Sequence, residues 1–536
     1  MLGRHAALAP FLLLAGALAL PGCKRAPAAP SAPPKTPTLR VFVITSMAGA
    51  LEPCGCVKDM LGGIDHAAAL LAARRDSASS SLLVGAGPTL FMDPTTKEDQ
   101  RIQTGFKAAA IAESLKDMRL VAWAPAANDW AGGVEELERL KGISGAALLG
   151  ANLAGRSAGA EALKVVEAGG HKIGIVGVSQ PLQSGVAPEG VEVKDARAAL
   201  EEAKKVLDAQ GARIRIALVA MPRGEALRLT EAVGGFQLVV VGKPVDRGEA
   251  NDGVVPPALL GESLVVQTPN HLQGVAVVDF FVRGDDVRFK DGSGLAQAEK
   301  REGLRRRVED LNRLIAEAEK PDSGVRPEDL AARRKDKDAL ARELAQHQAP
   351  EVPAEGSFFR YEFEPVKESL GADGAVAARL KAYYKRVNAH NKAAFAERRP
   401  APAPAGKASY VGAESCAECH ADEYKVWLST PHATAYAPLE RDDKQFNLDC
   451  VGCHVTGYDK PGGSTVTFVD KLKNIQCENC HGPSSLHVAA PKDKSLIQRT
   501  PPKTFCATEC HHPPHVKNDW SVEQAWPRVL GPGHGM

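Results

Sequence analysis

The sequence predicts a multidomain protein, with an N-terminal α/β domain, a helical connecting region and a mostly α-helical C-terminal module. Short apolar runs alternate with amphipathic stretches over residues 39–290, a pattern typical of α/β layers. Two charged stretches with helical apolar spacing lie within residues 291–398. Eight of the 11 cysteines and nine of the 15 histidines follow residue 409, so we expect the chemistry of the protein in residues 409–536.

The composition is that of a globular protein without a strong charge bias. The 536 residues include 66 Lys and Arg against 65 Asp and Glu, a net charge of +1, and 44% are hydrophobic. This length corresponds to two or three domains of ordinary size. Because nucleic-acid-binding proteins normally have a basic surplus, we expect no nucleic-acid partner.

Residues 1–23 have the features of an export signal. Arg4 and His5 precede an apolar run over residues 6–20, which is shorter than the roughly 20 residues that span a bilayer. The run ends in Leu-Pro-Gly-Cys, which resembles a bacterial lipobox and predicts a lipid on Cys23. Ordinary signal cleavage with an incidental Cys23 is the alternative. We expect an exported protein in both cases, and with the lipid a membrane-anchored lipoprotein that faces the periplasm.

Two Pro/Ala-rich segments, residues 24–38 and 399–408, divide the chain. Such segments are extended linkers that do not pack into a core. They predict three folded parts: an α/β domain over 39–290, a connecting region over 291–398 and a C-terminal module over 409–536.

The α/β region contains short motifs in a recognisable order. They are ITSMAG at 44–49, GG at 62–63, GAGP at 85–88, AND at 127–129, GKPV at 242–245 and VQT at 266–268. In this order they resemble the landmarks of the 5′-nucleotidase type of calcineurin-like metallophosphoesterase. The resemblance implies a four-layer α/β sandwich. Without it, the region is an unassigned α/β domain.

The metal-ligand positions of that family are changed in this chain. The family holds two metals with Asp and His side chains, and the metals generate the attacking hydroxide. At these positions the chain has Ser46, Ala48, Pro88, Asp129, Lys243 and Val245, and only Asn128 is retained. Since one amide cannot hold a dinuclear centre, phosphatase activity is not expected. The resemblance then implies a scaffold or binding module.

A Glu-Pro-Cys-Gly-Cys motif follows the first of these landmarks. Cys54 and Cys56 are close enough in sequence to form an oxidised pair in an exported protein, although the ring would be tight. A redox or metal-binding pair at the edge of the former catalytic site is the alternative interpretation.

The connecting region predicts a helical hairpin. Apolar residues recur with helical spacing between residues 296 and 319, residues 321–324 interrupt the pattern, and Pro327 opens a second helix. The hairpin is either a solvated spacer or an arm for docking or dimerisation. Residues 357–363 then alternate like a half-buried strand, and a further helix follows.

The C-terminal module repeats the c-type haem attachment signature C-x-x-C-H, with one stretched copy at residues 506–511. Two thiols bind the haem vinyl groups, and the adjacent His is the proximal iron ligand. The predicted thioether residues are Cys416, Cys419, Cys450, Cys453, Cys477, Cys480, Cys506 and Cys510. The predicted proximal ligands are His420, His454, His481 and His511. A zinc ribbon would not require a His after each pair. We therefore expect four covalently bound haem c groups.

Strings around these sites, such as C-H-V-T-G-Y at 453–458 and C-E-x-C-H-G at 477–482, resemble the cytochrome c-554 family of tetrahaem electron carriers. The resemblance implies that His432 and His487 are distal iron ligands. His512 and His515 are further candidates.

Two functions are consistent with these motifs. One is an electron carrier that exchanges electrons with periplasmic or membrane partners, with the α/β domain as scaffold or binding module. The other is a haem oxidoreductase in which one iron with an open position acts on a small nitrogen or sulfur compound. A phosphoesterase with a cytochrome tail is disfavoured by the missing metal ligands.

Overall fold

The computed structural model describes residues 36–53, 61–182, 185–246, 248–320, 325–346, 352–512, 516 and 520–530. The predictions made for Cys23, for the pair Cys54 and Cys56, and for His515 fall outside these residues.

The apolar runs form buried strands, as expected. The strands are β1 (Leu39–Thr45), β2 (Ser81–Ala86), β3 (Leu120–Ala124), β4 (Ala147–Leu148), β5 (Leu153–Gly155), β6 (Leu163–Ala168), β7 (His171–Ser179), β8 (Val191–Val193), β9 (Ile214–Ala220), β10 (Leu238–Gly242), β11 (Ala258–Leu260), β12 (Ser263–Val266), β13 (Gly274–Phe281), β14 (Lys290–Asp291) and β15 (Phe358–Pro365). The longer helices are α1 (Ile64–Arg75), α2 (Arg101–Asp117), α3 (Val134–Ser144), α4 (Ala196–Ala209), α5 (Arg223–Val233), α6 (Leu295–Ala318), α7 (Pro327–Gln346) and α8 (Gly374–Ala394).

The strands form two large mixed sheets and one small one. The first sheet has the order β14-β15-β13-β1-β2-β3-β4, and the second has the order β11-β12-β10-β9-β7-β6. Strand β1 is parallel to β2 and antiparallel to β13. Strands β5 and β8 pair separately.

The two large sheets pack face to face, with helices on both outer faces. Val41 of β1 and Leu218 of β9 lie in the core between the sheets. Since side chains alternate along a strand, Phe42 faces the other side, where α1, α2 and α8 cover the seven-stranded sheet. Val178 of β7 packs under α4 and α5 on the opposite outer face. This helix–sheet–sheet–helix order confirms the four-layer α/β sandwich.

The α/β unit continues beyond the boundary expected at residue 290. Strand β15 pairs with β13 over its whole length, from Gly274 opposite Pro365 to Phe281 opposite Phe358. Helix α8 then returns to the sheet, where Leu380 and Val387 join the outer core. The α/β unit therefore extends to α8, and the helical hairpin is an insertion between β14 and β15.

Helices α6 and α7 form the expected antiparallel hairpin. Lys300 near the start of α6 pairs with Glu343 near the end of α7 at 3.0 Å, and Arg334 pairs with Glu319 at 2.5 Å. Most of the other ion pairs of the hairpin lie within one helix and are exposed. Exposed pairs of this kind contribute little to stability. Whether the hairpin is a spacer or an arm for docking or dimerisation stays a prediction.

The C-terminal module consists of short helices and turns. Its helices are α9 (Ala413–Ala417), α10 (Ala421–Leu428), α11 (Ala437–Arg441), α12 (Cys477–His481), α13 (Ser485–Ala489), α14 (Thr504–Glu509) and α15 (Val522–Ala525). The module packs against α2 and α8 of the α/β unit, through contacts such as Gln103 with Asn447 and Asn391 with Phe446. Within the residues described above, no helix is both long enough and apolar enough to cross a membrane.

Candidate haem-binding site

The first and third cysteine groups lie side by side. The Cys416 thiol on α9 and the Cys477 thiol at the start of α12 hydrogen-bond each other. This contact, followed by burial, raises the pKa of Cys416, and the same contact lowers the pKa of Cys477. Cys419 and His420 of the first group are exposed.

Two side chains from the third group hold the first group in place. The Gln476 Oε1 atom accepts a hydrogen bond from Ala413 N at 2.7 Å. The buried Glu478 carboxylate accepts hydrogen bonds from Val411 N and Gly412 N at 2.8–3.1 Å. Burial raises the pKa of Glu478. Because these bonds are made to the backbone just before Cys416, they bring two distant attachment sequences together.

The second and fourth groups form a similar pair. The Cys453 thiol hydrogen-bonds the Cys510 thiol, which lowers the pKa of Cys453 to about 7 and raises that of Cys510. The nearby His512 contributes to the same lowering at Cys453. The Cys480 and Cys506 thiols are also close enough to interact electrostatically, so the third and fourth groups are neighbours too. All eight of these cysteines are free thiols in the structure.

Two proximal candidates have one ring nitrogen occupied by a backbone carbonyl. His454 Nδ1 hydrogen-bonds Ala435 O, and His481 Nδ1 hydrogen-bonds Gln498 O at 2.8 Å. A bond of this kind fixes the ring orientation and leaves Nε2 for a metal. Burial lowers the pKa of His454, which favours the neutral imidazole that a metal requires.

The His432 ring lies close to that of His511, the proximal candidate of the fourth group. Their ring centroids are 6.2 Å apart. A ligating imidazole nitrogen lies about 2 Å from its metal, so the centroids of two rings on opposite sides of one metal are separated by about 6 Å. His432 is held by a hydrogen bond from Ile475 N to its carbonyl at 3.1 Å, and Ile475 O accepts the Trp427 indole N–H at 2.8 Å. The spacing fits a single iron between the two rings.

The structure shows fewer contacts for the other candidate distal ligands. His487 lies on α13, and its Nδ1 atom is buried without a hydrogen-bond partner. Such an unpaired nitrogen fits a metal ligand. His512 directly follows His511 and lies near Cys453. His515 falls outside the described residues. Together with the paired thiols and the oriented imidazoles, these observations show that the residues of the module fit covalently attached haem.

At the positions that the sequence resemblance aligns with metal ligands, polar side chains bond to the backbone or to other side chains. Ser46 Oγ donates to Lys243 O at 3.1 Å. The Asn128 amide donates to Met92 O at 2.6 Å and to Val245 O at 3.1 Å. The Lys243 ammonium pairs with Glu249 and with Asp252. Ala48, Pro88 and Val245 are buried and offer no side-chain ligand.

Asp129, at one of these positions, has a structural role. Its carboxylate accepts hydrogen bonds from Thr89 N and Leu90 N at 2.8 Å and from Ala126 N at 2.9 Å. A Cβ atom on Gly87 would lie 2.3 Å from this carboxylate, so the position requires glycine. Asp129 thus ties the loop after β2 to the loop after β3. Among the residues described, no group of three or more His, Cys, Asp or Glu is placed to hold a metal ion.

The sequence motifs indicated the attachment groups but not the residues that arrange them. Glu478 is part of the C-E-x-C-H string, yet its partners Val411 and Gly412 lie 67 and 66 positions earlier. His432 and His511 likewise come from distant parts of the sequence. The polar residue types next to the cysteines were the only available signal.

Part of the C-terminal module is similar to known proteins. Residues 415–482 match the family described as cytochrome c554 and c-prime. Over 95 residues the chain is 33% identical to cytochrome c-554 of Nitrosomonas europaea, a match that covers 15% of this chain and 40% of that protein. The chain thus spans less than half the length of this relative. The matches confirm the resemblance of the module to the c-554 family and support a multihaem c-type cytochrome with covalently bound haem.

The N-terminal region is similar to solved structures at low identity. A 5′-nucleotidase precursor from Thermus thermophilus is 17% identical with a TM-score of 0.45, over 70% of this chain and 62% of that one. The sulfate thiohydrolase SoxB of Thermus thermophilus is 14% identical with a TM-score of 0.45, over 67% of this chain and 62% of that one. The chain therefore covers less than two thirds of either structure.

Proposed function

We propose that this protein is an exported, multihaem c-type cytochrome that transfers electrons in the periplasm, with the α/β unit as its scaffold or binding module. It would bind four haem c groups through the four cysteine pairs of the C-terminal module. His420, His454, His481 and His511 would be the proximal ligands.

The placement of His432 opposite His511 supports this function most directly. When two imidazoles fill both axial positions of an iron, no position is left for a substrate. Other residues position both histidines: Ile475 N donates to the backbone carbonyl of His432, and the Trp520 ring stacks on the His511 ring at a centroid distance of 4.8 Å. Fixed ligands suit one-electron transfer, which is the chemistry that a haem with two axial His ligands supplies.

The contacts between attachment groups support transfer along a series of haems. The first group touches the third, the second touches the fourth, and the third lies near the fourth. Groups that touch would hold their haems close together. Closely spaced haems would pass electrons along the series from one partner to the other.

The proposed partners are electron donors and acceptors of the periplasm or the membrane. The proposed location is a membrane surface facing the periplasm, reached by a lipid on Cys23. A Cys23→Ser variant should be exported but recovered in the soluble periplasmic fraction. Recovery of the variant in the membrane fraction at the wild-type level would contradict the lipid anchor.

The central experiment combines a haem count with spectroscopy of the full chain after complete maturation. We expect four covalent haems per chain by the pyridine haemochrome assay and mass spectrometry, with EPR signals of low-spin ferric iron. A reproducible count of three would mean that Cys506 and Cys510 do not attach a haem. A large high-spin signal that changes with carbon monoxide or hydroxylamine would instead favour the haem oxidoreductase.

Substitution of single histidines assigns the distal ligands. His432→Met and His487→Met should each change the spin state or potential of one haem while the haem count stays the same. His171→Met in β7, far from the module, is the matched control. An unchanged spectrum and redox titration would show that the substituted histidine is not a ligand.

A further inference from the structure

The segment that leads into the second attachment group is held by the α/β unit. Three buried amides connect the two parts: Gln103 on α2, Asn391 on α8 and Asn447 in the module, each no more than 2% exposed. We call them the amide cluster. Gln103 donates to Asn447 Oδ1 at 3.0 Å and accepts from Asn391 at 2.7 Å.

The amide cluster also binds the backbone on the way to Cys450. Leu448 N donates to Gln103 Oε1 at 2.9 Å, and Asn391 donates to Phe446 O at 2.8 Å. Cys450 N in turn donates to Asn447 O at 3.0 Å. A buried hydrogen-bond network of this kind fixes the position of its members. The α/β unit therefore determines where Cys450 lies.

A charged contact lies beside the amide cluster. The Glu52 carboxylate of the α/β unit pairs with Lys444 at 2.6 Å and accepts a hydrogen bond from the Tyr384 hydroxyl at 2.7 Å. The Lys444 ammonium lies 4.3 Å from the centre of the Tyr384 ring. The Glu52 and Lys444 side chains are 35% and 20% exposed, so water screens them only in part. Both are close enough to the Cys450 thiol to act on it electrostatically.

We infer that Glu52 sets the redox potential of the haem attached at Cys450 and Cys453, so that the α/β unit is part of the electron-transfer apparatus. This inference rests on the proposed function. A carboxylate near a haem stabilises the more positive ferric state and lowers the potential, and an ammonium has the opposite effect. Tyr384 is a positioning residue, because its hydroxyl holds the Glu52 carboxylate in place.

The test is a redox titration of the mature full chain that is monitored by the visible absorption of its haems. Glu52→Gln should raise the potential of one haem. We expect about a tenfold change in its oxidised-to-reduced ratio at fixed potential, which corresponds to about 59 mV for a one-electron couple. Glu201→Gln makes the same change of charge on α4, on the far side of the sandwich, and should move no haem.

Two further variants keep the test decisive if Glu52→Gln does not fold. Lys444→Gln should lower the potential of the same haem, and Tyr384→Phe should shift it by less than either charge change. The inference is wrong if none of the variants that fold moves one haem more than Glu201→Gln does, or if all haems move equally.

The haem count separates this inference from the proposed function. A wild-type chain without covalent haem would overturn both. A wild-type chain with its haems, whose potentials do not respond to Glu52 or Lys444, would overturn the inference and leave the electron-transfer function standing.

Discussion

In the α/β unit, three clusters of buried side chains fill the space between the sheets and on both of their outer faces. Among the described residues of the C-terminal module, the apolar cluster has five buried members. They are Tyr436, Leu439, Val451, Val455 and Val469. Folded chains depend mainly on burial of apolar surface to offset lost conformational entropy. The two parts must therefore reach a stable fold by different means.

In place of a large apolar core, the module has buried polar contacts and packs against the α/β unit, and bound haem would add to its stability. Glu478 and Gln476 are buried and bond to backbone groups of a distant segment. The buried Asn447 ties the module to the α/β unit. Small structures without a large core are usually held by disulfides or metals. In this module, covalently attached haem would take that role.

We expect the largest difference between the two parts when the haem is withheld. In a host that cannot attach it, residues 409–530 should lose protection from proteolysis, while residues 36–394 stay protected. The reason is that ligand binding and folding are coupled when a structure has little core of its own. Limited proteolysis with mass spectrometry measures the difference. Equal protection of the module with and without haem would show that the polypeptide folds alone.

The reverse change removes core from the α/β unit. Leu218 is fully buried between the sheets, and Leu218→Ala should lower the free energy of unfolding by about 2–5 kcal/mol. Chemical denaturation followed by circular dichroism measures this loss. Leu259→Ala on β11, where the side chain is 37% exposed, is the matched control and should cost much less. A change in the visible haem spectrum in the same denaturant range would show that the two parts do not fold independently.

The α/β unit also contains a buried titratable group, Asp129. Burial raises the pKa of Asp129 to about 6 from an ordinary value of 3.8, despite three backbone hydrogen bonds. The folded unit thus holds a proton in a range where the unfolded chain has lost it. The free energy of unfolding should therefore fall by up to about 3 kcal/mol as the pH rises from about 4 to about 6, and this contribution should be constant above that.

Urea unfolding at several pH values tests this prediction. Asp129→Asn should abolish the slope between about pH 4 and about pH 6. It should also lower stability at the acidic end of this range, because an amide N–H₂ would face the Ala126 N–H donor. Asp246→Asn, at an exposed position, should keep the slope. An unchanged slope in Asp129→Asn would assign the pH dependence to another group.

The extent of prediction from sequence also differs between the two parts. Apolar runs such as Ile214–Ala220 predict strands because their local composition indicates burial. The place of β15 in the first sheet was not predictable locally, because the helical hairpin separates it from β13. In the module, covalent chemistry requires a fixed local spacing, so the attachment groups were visible as motifs. The partners of those groups were not.

The contacts that arrange the module depend on the whole fold. His432 and His511 face each other across 79 positions, and Glu52 and Lys444 are 392 positions apart. A single sequence has no signal for such pairs, because their residue types are common and their approach depends on several intervening elements. For the same reason, the sequence did not indicate that the α/β unit extends past residue 290.

The smallest expected effect concerns the amide cluster, where the two parts meet. Gln103→Met keeps the size of the side chain but removes the acceptor for Leu448 N and the donor to Asn447. Leaving a buried polar group unpaired costs about 1–3 kcal/mol. Since α2 has its own packing within the outer core, the loss should fall on the module. Hydrogen exchange should therefore increase in residues 444–450 and not in β1 or β2.

Gln210→Met, at an exposed position, is the control. Faster exchange throughout the α/β unit would mean that Gln103 stabilises the sandwich rather than the junction, and the two parts would then be one cooperative unit.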